Sequence, residues 1–185
     1  MSFTGHMRKM ARNNAWSNYR LHQACNGLSD TEFSAKRIGF FPSIQATLNH
    51  ILAVDLYYID ALTNGGLGPR AFHEFTPHSV IATLAAAQAE SDRRLIDFCD
   101  GLTETALVSL VRTDRGAQGV FDERCDDVLA HLFQHQIHHR GQAHAMLSGT
   151  SVKPPQLDEY FLAYDREARE KDLALLGMAD PKDIA

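Results

Sequence analysis

DDVLAHLFQHQIHHRGQAHAMLSG, residues 126–149, places five histidines within fourteen positions. No proline interrupts it, and Val128, Leu129, Leu132, Met146 and Leu147 recur at three- and four-residue intervals, the spacing of a helix with one buried face. Gly149 stands where such a helix stops. At roughly 100° per residue, with His131 at zero, these residues and Ala143 fill an arc from about 60° to about 160°. His135 falls at about 40° and His139 at about 80°, toward the arc, while His138 at about 340° lies outside it with His131. Two inward imidazoles at i, i+4 can reach one metal ion, and a shared divalent cation partners nitrogens that burial would otherwise leave unpaired. One helix supplies two ligands, and a site needs more.

Outward from this stretch, the chain reads as further long helices. Met7, Met10, Ala11, Ala15, Leu21, Ala24 and Cys25 predict a helix from His6 to about Asn26, with Trp16 and Tyr19 packing inward. Ser29 to Glu32 has the form of a capping box and predicts a short turn through Lys36, followed by a loop at Gly39-Phe40-Phe41-Pro42. Ser43 caps a second long helix ending at Gly65-Gly66. Two of its polar residues demand an account. His50 shares a face with Thr47, Ile51 and Val54, and Asp55 lies in the most apolar sector, where it needs a charged or hydrogen-bonding partner, with Arg140 or a ligating imidazole as candidates.

Ser79 to Asp100 predicts a third helix, Thr103 to Leu107 one more turn, and the stretch around Asp114-Arg115-Gly116 a small hairpin that leads into the histidine helix. Leu157, Tyr160, Phe161, Tyr164, Ala168 and Leu175 predict a C-terminal helix over about 156–176. The alternating charges of Asp165 to Asp172 read as its solvated face, and Ala179 to Ala185 as a frayed tail. The expected fold is all-α, a four-helix bundle with short extra helices and a small β-hairpin before the last bundle helix, in one domain over residues 1–185.

With 185 residues, 44% of them hydrophobic, the chain is long enough for one substantial core. A net charge of −5 offers no basic footprint for nucleic acid. No run approaches a membrane span and no apolar leader opens the chain, so a cytoplasmic protein is expected. Cys25, Cys99 and Cys125 are odd in number and widely spaced, which points to reduced structural thiols.

His50 on one bundle helix with His135 and His139 on another would give three nitrogen ligands and leave a coordination position for water or substrate, the layout of a catalytic site. Asn14-Ala15-Trp16-Ser17-Asn18 with Leu21, Ser43-Ile44 with Thr47-Leu48-Asn49-His50-Ile51 and Asp55, and His135-x-x-His138-His139-Arg140-Gly141-Gln142 together resemble the DinB/YfiT-like family of metal-binding four-helix bundles. The likeness covers nearly the whole chain. It implies metal ligands at His50, His135 and His139, with a divalent transition metal, zinc or nickel ahead of iron or copper. His138 is either a surface residue or an alternate ligand, and Gln142 lines the pocket. The resemblance further implies a homodimer. It also implies a small-molecule substrate such as a low-molecular-weight thiol, handled by a metal-dependent S-transferase or hydrolase. The alternative is a non-enzymatic metal-binding or stress-response bundle in which the ion is structural. Neutral imidazole is required for binding, so metal release is expected as pH falls below about 6.

Overall fold

The computed structural model describes residues 2–181. The chain runs through α1 (Phe3–Cys25), α2 (Asp30–Ser34), α3 (Ile44–Leu62), α4 (Arg70–His73), α5 (Ile81–Asp100) and α6 (Glu104–Leu107). A hairpin of β1 (Leu110–Asp114) and β2 (Val120–Arg124) then leads to α7 (Cys125–Leu147) and α8 (Arg166–Leu176). Hydroxyl caps set the starts. Ser2 accepts from the Gly5 amide at 3.1 Å, Ser29 and Glu32 close the expected capping box, and Ser43 accepts from the Ala46 amide at 3.0 Å.

The four long helices α1, α3, α5 and α7 form the bundle. Helices α1 and α3 each pack against both α5 and α7, so the chain crosses the bundle diagonal twice on the way through. The hairpin pairs Leu110 with Arg124 and Asp114 with Val120, turns its buried Val111 and Thr113 inward, and is tied to α3 by the Tyr57 hydroxyl donating to the Asp114 carbonyl at 2.8 Å.

The core is split in two. One apolar cluster holds Met7, Ala11, Tyr57, Ile59, Leu95, Leu129 and Leu132, and the other Leu21, Leu48, Ile51, Leu84, Ala143 and Leu147. Between them, each of the four long helices carries buried polar residues: Asn14 and Asn18 on α1, Asp55 on α3, Gln88 and Asp92 on α5, Gln136 and Arg140 on α7. This belt crosses the bundle at mid-height.

Two readings of the C-terminal region change. The helix expected from about residue 156 begins only at Arg166, because residues 156–162 are used as a strap across α1. Phe161, at a left-handed φ of 50°, turns its buried ring onto Trp16, with centroids 5.5 Å apart, and Asn13 donates to the Glu159 carbonyl at 2.8 Å. Trp16 is thus buried, but beneath the strap. The charge run is a solvated face only in part: Arg166, Glu167, Glu170 and Lys171 are exposed, whereas Asp165, Arg169 and Asp172 are drawn into contacts with the rest of the chain. Arg169 is wholly buried between Asp165 and Asp180, and Asp172 accepts from Arg20 at 2.6 Å and from the Trp16 indole at 3.0 Å. Residues 182–185 of the tail read as frayed lie outside the described residues. The three cysteines are free and buried, and burial pushes their thiols up to about 12 for Cys25 and Cys99 and about 11 for Cys125, far from reactive thiolates.

Candidate metal centre

Helix α3 delivers His50 and helix α7 delivers His135 and His139 to one point. His139 is buried and the other two are half-buried. One ring nitrogen from each lies within 4.8 Å of the others, and the ring centroids are 4.4 to 4.9 Å apart. The Nε2 atoms of His50 and His135 face each other at 2.9 Å. His131 and His138 stay on the exposed side of α7, as the angular reading expects.

Hydrogen bonding determines which nitrogen each ring can offer. The Nδ1–H of His139 donates to Gln142 Oε1 at 2.8 Å, which leaves Nε2 as the lone-pair atom. The Gln142 amide in turn donates to His138 Nε2 at 2.9 Å, so His138 is an outer partner of the cluster. His135 Nδ1 is buried with no hydrogen-bond partner among the described residues, and its Nε2 is the atom turned to His50.

Electrostatics keeps these rings neutral. Desolvation, with repulsion from His139 second, pulls His50 down to about 4, and desolvation followed by its histidine neighbours pulls His135 down to about 3. His139 is lowered as well, by desolvation above all. Neutral imidazoles with converging lone pairs are the protonation state that a cation requires, and the donor set fits a divalent transition ion.

Two aromatic rings that the sequence reading left as a plain loop cover the cluster. Phe41 lies 4.3 Å from the His50 ring and 5.6 Å from His139, while Phe40 packs edge-on to Phe41 and sits 6.1 Å from His139. Gly39 ahead of them packs beside the flexible tip of Met146. The available signal was a Phe-Phe-Pro ahead of a capped helix bearing a histidine.

Asp55 has the hydrogen-bonding partners that its burial demands, but they are not the candidates the sequence suggested. Its hydrogen bonds come from neither Arg140 nor an imidazole; Gln88 Nε2 donates to Oδ2 at 2.7 Å and Gln136 Nε2 donates to Oδ1. Arg140 instead donates to the side-chain oxygens of Asn14 and Asn18, whose amides donate to Asp92 Oδ1 at 3.1 and 2.8 Å. Bridging amides replace a direct ion pair. The signal for the belt was present as three i, i+4 polar pairs, Asn14/Asn18, Gln88/Asp92 and Gln136/Arg140, each within a helix otherwise apolar on that face. Because Gln136 lies between the two α7 histidines and bonds across to α3, the belt sets the rotation of α7 that turns His135 and His139 toward His50.

The family model described as DinB family matches residues 1–171. Among solved structures, the chain is similar to a DinB-like protein of Bacillus cereus at 14% identity and a TM-score of 0.60, covering 80% of this chain and 94% of that one. It is also similar to a DinB-like protein of Bacillus subtilis at 15% identity and a TM-score of 0.59, covering 80% and 96%. At these identities the likeness is one of fold. No curated protein matches. Among the described residues no helix is long and apolar enough to cross a membrane.

Proposed function

The chain belongs to the DinB family, and from that premise we propose that it is a metal-dependent enzyme acting on a small molecule, with a divalent ion held by His50, His135 and His139. The observation that carries this reading is the meeting of three neutral ring nitrogens from two helices within 4.8 Å. The ion, zinc or nickel ahead of iron or copper, supplies a Lewis acid that lowers the pKa of a thiol or water into the neutral range. The chemistry is S-transfer from a low-molecular-weight thiol, or hydrolysis.

The chain's own residues do the rest. Gln142 keeps the proton of His139 on Nδ1 and so keeps Nε2 directed to the centre. Phe41 packs at a tilt against His50 and excludes water from one side of the cluster. Phe40, 76% exposed at the mouth, offers an apolar wall to an incoming substrate. A homodimer in the cytoplasm, with no nucleic-acid partner, completes the reading.

A second reading has one observation in its favour. His50 lies on α3 and His135 and His139 on α7, so an ion there also staples two helices and contributes its binding energy to folding. Metal-loaded protein incubated with monochlorobimane and several cellular thiols separates the two. Metal-dependent conjugation supports the enzyme; a melting temperature that collapses with chelator, without turnover on any thiol, supports the structural ion.

A further inference from the structure

An open groove of about 560 Å³ runs between α1 and α7, bordered by the strap from Gln156 to Tyr160. Its α7 wall is Ile137, Gly141 and His144, which lie about half a turn round the helix from His135 and His139 at roughly 100° per residue. The groove is therefore on the far side of α7 from the histidine cluster. Its volume is within the range of small-molecule sites.

Arg140 lines this groove although it is only 5% exposed. A guanidinium so deeply buried is normally paired with a carboxylate. Arg140 has no ion pair among the described residues; its hydrogen bonds are those of Nη1 to the side-chain oxygens of Asn14 and Asn18. Nε and Nη2 carry no hydrogen bond there, yet they keep some accessible surface. Desolvation pulls the group down to about 10, so it stays charged at pH 7. The free Nε–Nη2 edge offers two parallel N–H donors, the geometry that matches a carboxylate.

We propose that this groove binds a small amphipathic monocarboxylate, its head on the Nε–Nη2 edge of Arg140 and its aliphatic chain along Met10, Ile137 and Leu157. The surrounding charges limit the ligand to one negative charge. Behind Arg140, Asp92 is reached only through the Asn14 and Asn18 amides, and Asp55, raised to about 8 by burial, is protonated at pH 7. On the strap, Glu159 is paired with Arg20, while Asp158 accepts from Gln156 and would repel a second anionic group. His144 donates from Nε2 to the Pro155 carbonyl at 2.8 Å and holds the strap rather than the ligand.

Isothermal titration of zinc-loaded, full-length protein with hexanoate, hexanamide and hexylammonium tests this, with amide chemical-shift mapping to locate the binding. Hexanoate is expected to bind saturably and to shift α1, α7 and strap resonances, with the amide and the cation at least tenfold weaker. His50→Ala should keep the hexanoate affinity within about twofold, whereas a carboxylate held by the ion would lose it. Gly141 is exposed and an added Cβ there meets nothing within 4 Å, so Gly141→Phe fills the groove without disturbing the bundle and should weaken hexanoate at least tenfold. Arg140→Gln should do the same by removing the charge. Absence of saturable binding, binding lost in His50→Ala, equal binding of hexanamide or hexylammonium, or undiminished affinity in Gly141→Phe overturns the proposal. Should Arg140→Gln fail to fold, Gly141→Phe decides it alone.

Discussion

The Nε2 atoms of His50 and His135 lie 2.9 Å apart although their residues are 85 positions apart in the chain. Two neutral imidazoles in that arrangement share one proton or one cation. The shared cation is the premise of the first three expectations below.

Replacing His50, His135 or His139 singly with alanine removes one of three nitrogen donors. Metal affinity should fall by more than about 100-fold in each, beyond the loss that follows removal of an outer partner. Competition titration with a chromophoric chelator measures it, and a variant that keeps wild-type affinity removes that residue from the site. Alanine at exposed His131 should leave affinity unchanged.

Gln142→Ala frees the His139 ring to rotate and to protonate at Nε2. A loss of about 10- to 100-fold in metal affinity is expected. Gln142→Glu retains an acceptor for Nδ1–H and should recover most of it. If alanine and glutamate behave alike, the hydrogen bond does not orient the ring.

Metal should be retained below pH 6, contrary to the expectation from ordinary histidine. The folded-state values of His50 and His135 are lowered, to about 4 and about 3, so both rings remain neutral ligands through the range in which a free histidine charges. Elemental analysis after dialysis across a pH series should place half-release nearer pH 4 to 5. Half-release at about 6 or above would contradict the burial that lowers these groups.

Asp55 produces the opposite slope at higher pH. Desolvation, with Asp92 second, raises it to about 8, so the folded chain keeps a proton that the unfolded chain gives up near the ordinary carboxylate value. Its contribution is fully present at low pH and is lost as pH rises toward 8. Between about pH 6.5 and 8 denaturant stability should therefore fall, by up to about 1.4 kcal/mol per pH unit for one proton. Asp55→Asn should flatten that fall, its amide accommodated by rotation of the Gln88 and Gln136 side chains. An unchanged slope in the variant would assign the effect elsewhere.

Phe161→Ala removes a ring that is 1% exposed and stacked on Trp16. A loss of about 3–5 kcal/mol is the ordinary cost of such a deletion in a core, and a strap that detaches on its own loses less from the bundle itself. Hydrogen exchange should show lost protection over 159–180 with α3 and α7 still protected. Protection lost evenly through the chain would mean that the strap and bundle unfold as one.

Much of the site could be read from the chain because the information is local. The angular position of His135 and His139 on α7 follows from helical periodicity alone, and so do the serine caps at residues 29 and 43 and the exposure of His131 and His138. The Asp55 partner could not be read that way. Arg140 is the obvious counter-charge by composition, yet the axial offset between α3 and α7 brings Gln136 to Asp55 and sends Arg140 to α1.

The strap shows the same division. Leu157, Tyr160, Phe161 and Tyr164 have helical spacing, but burying Phe161 against Trp16 and pairing Arg20 with Asp172 and Glu159 outweighs the helix they could form. Period and punctuation along one chain determined the four helices, their ends and the three histidines that converge. Which buried polar groups meet, and that two phenylalanines roof the cluster, were decided by how the helices are rotated and offset against one another. Those rigid-body variables depend on every packed side chain at once, and no single segment encodes them.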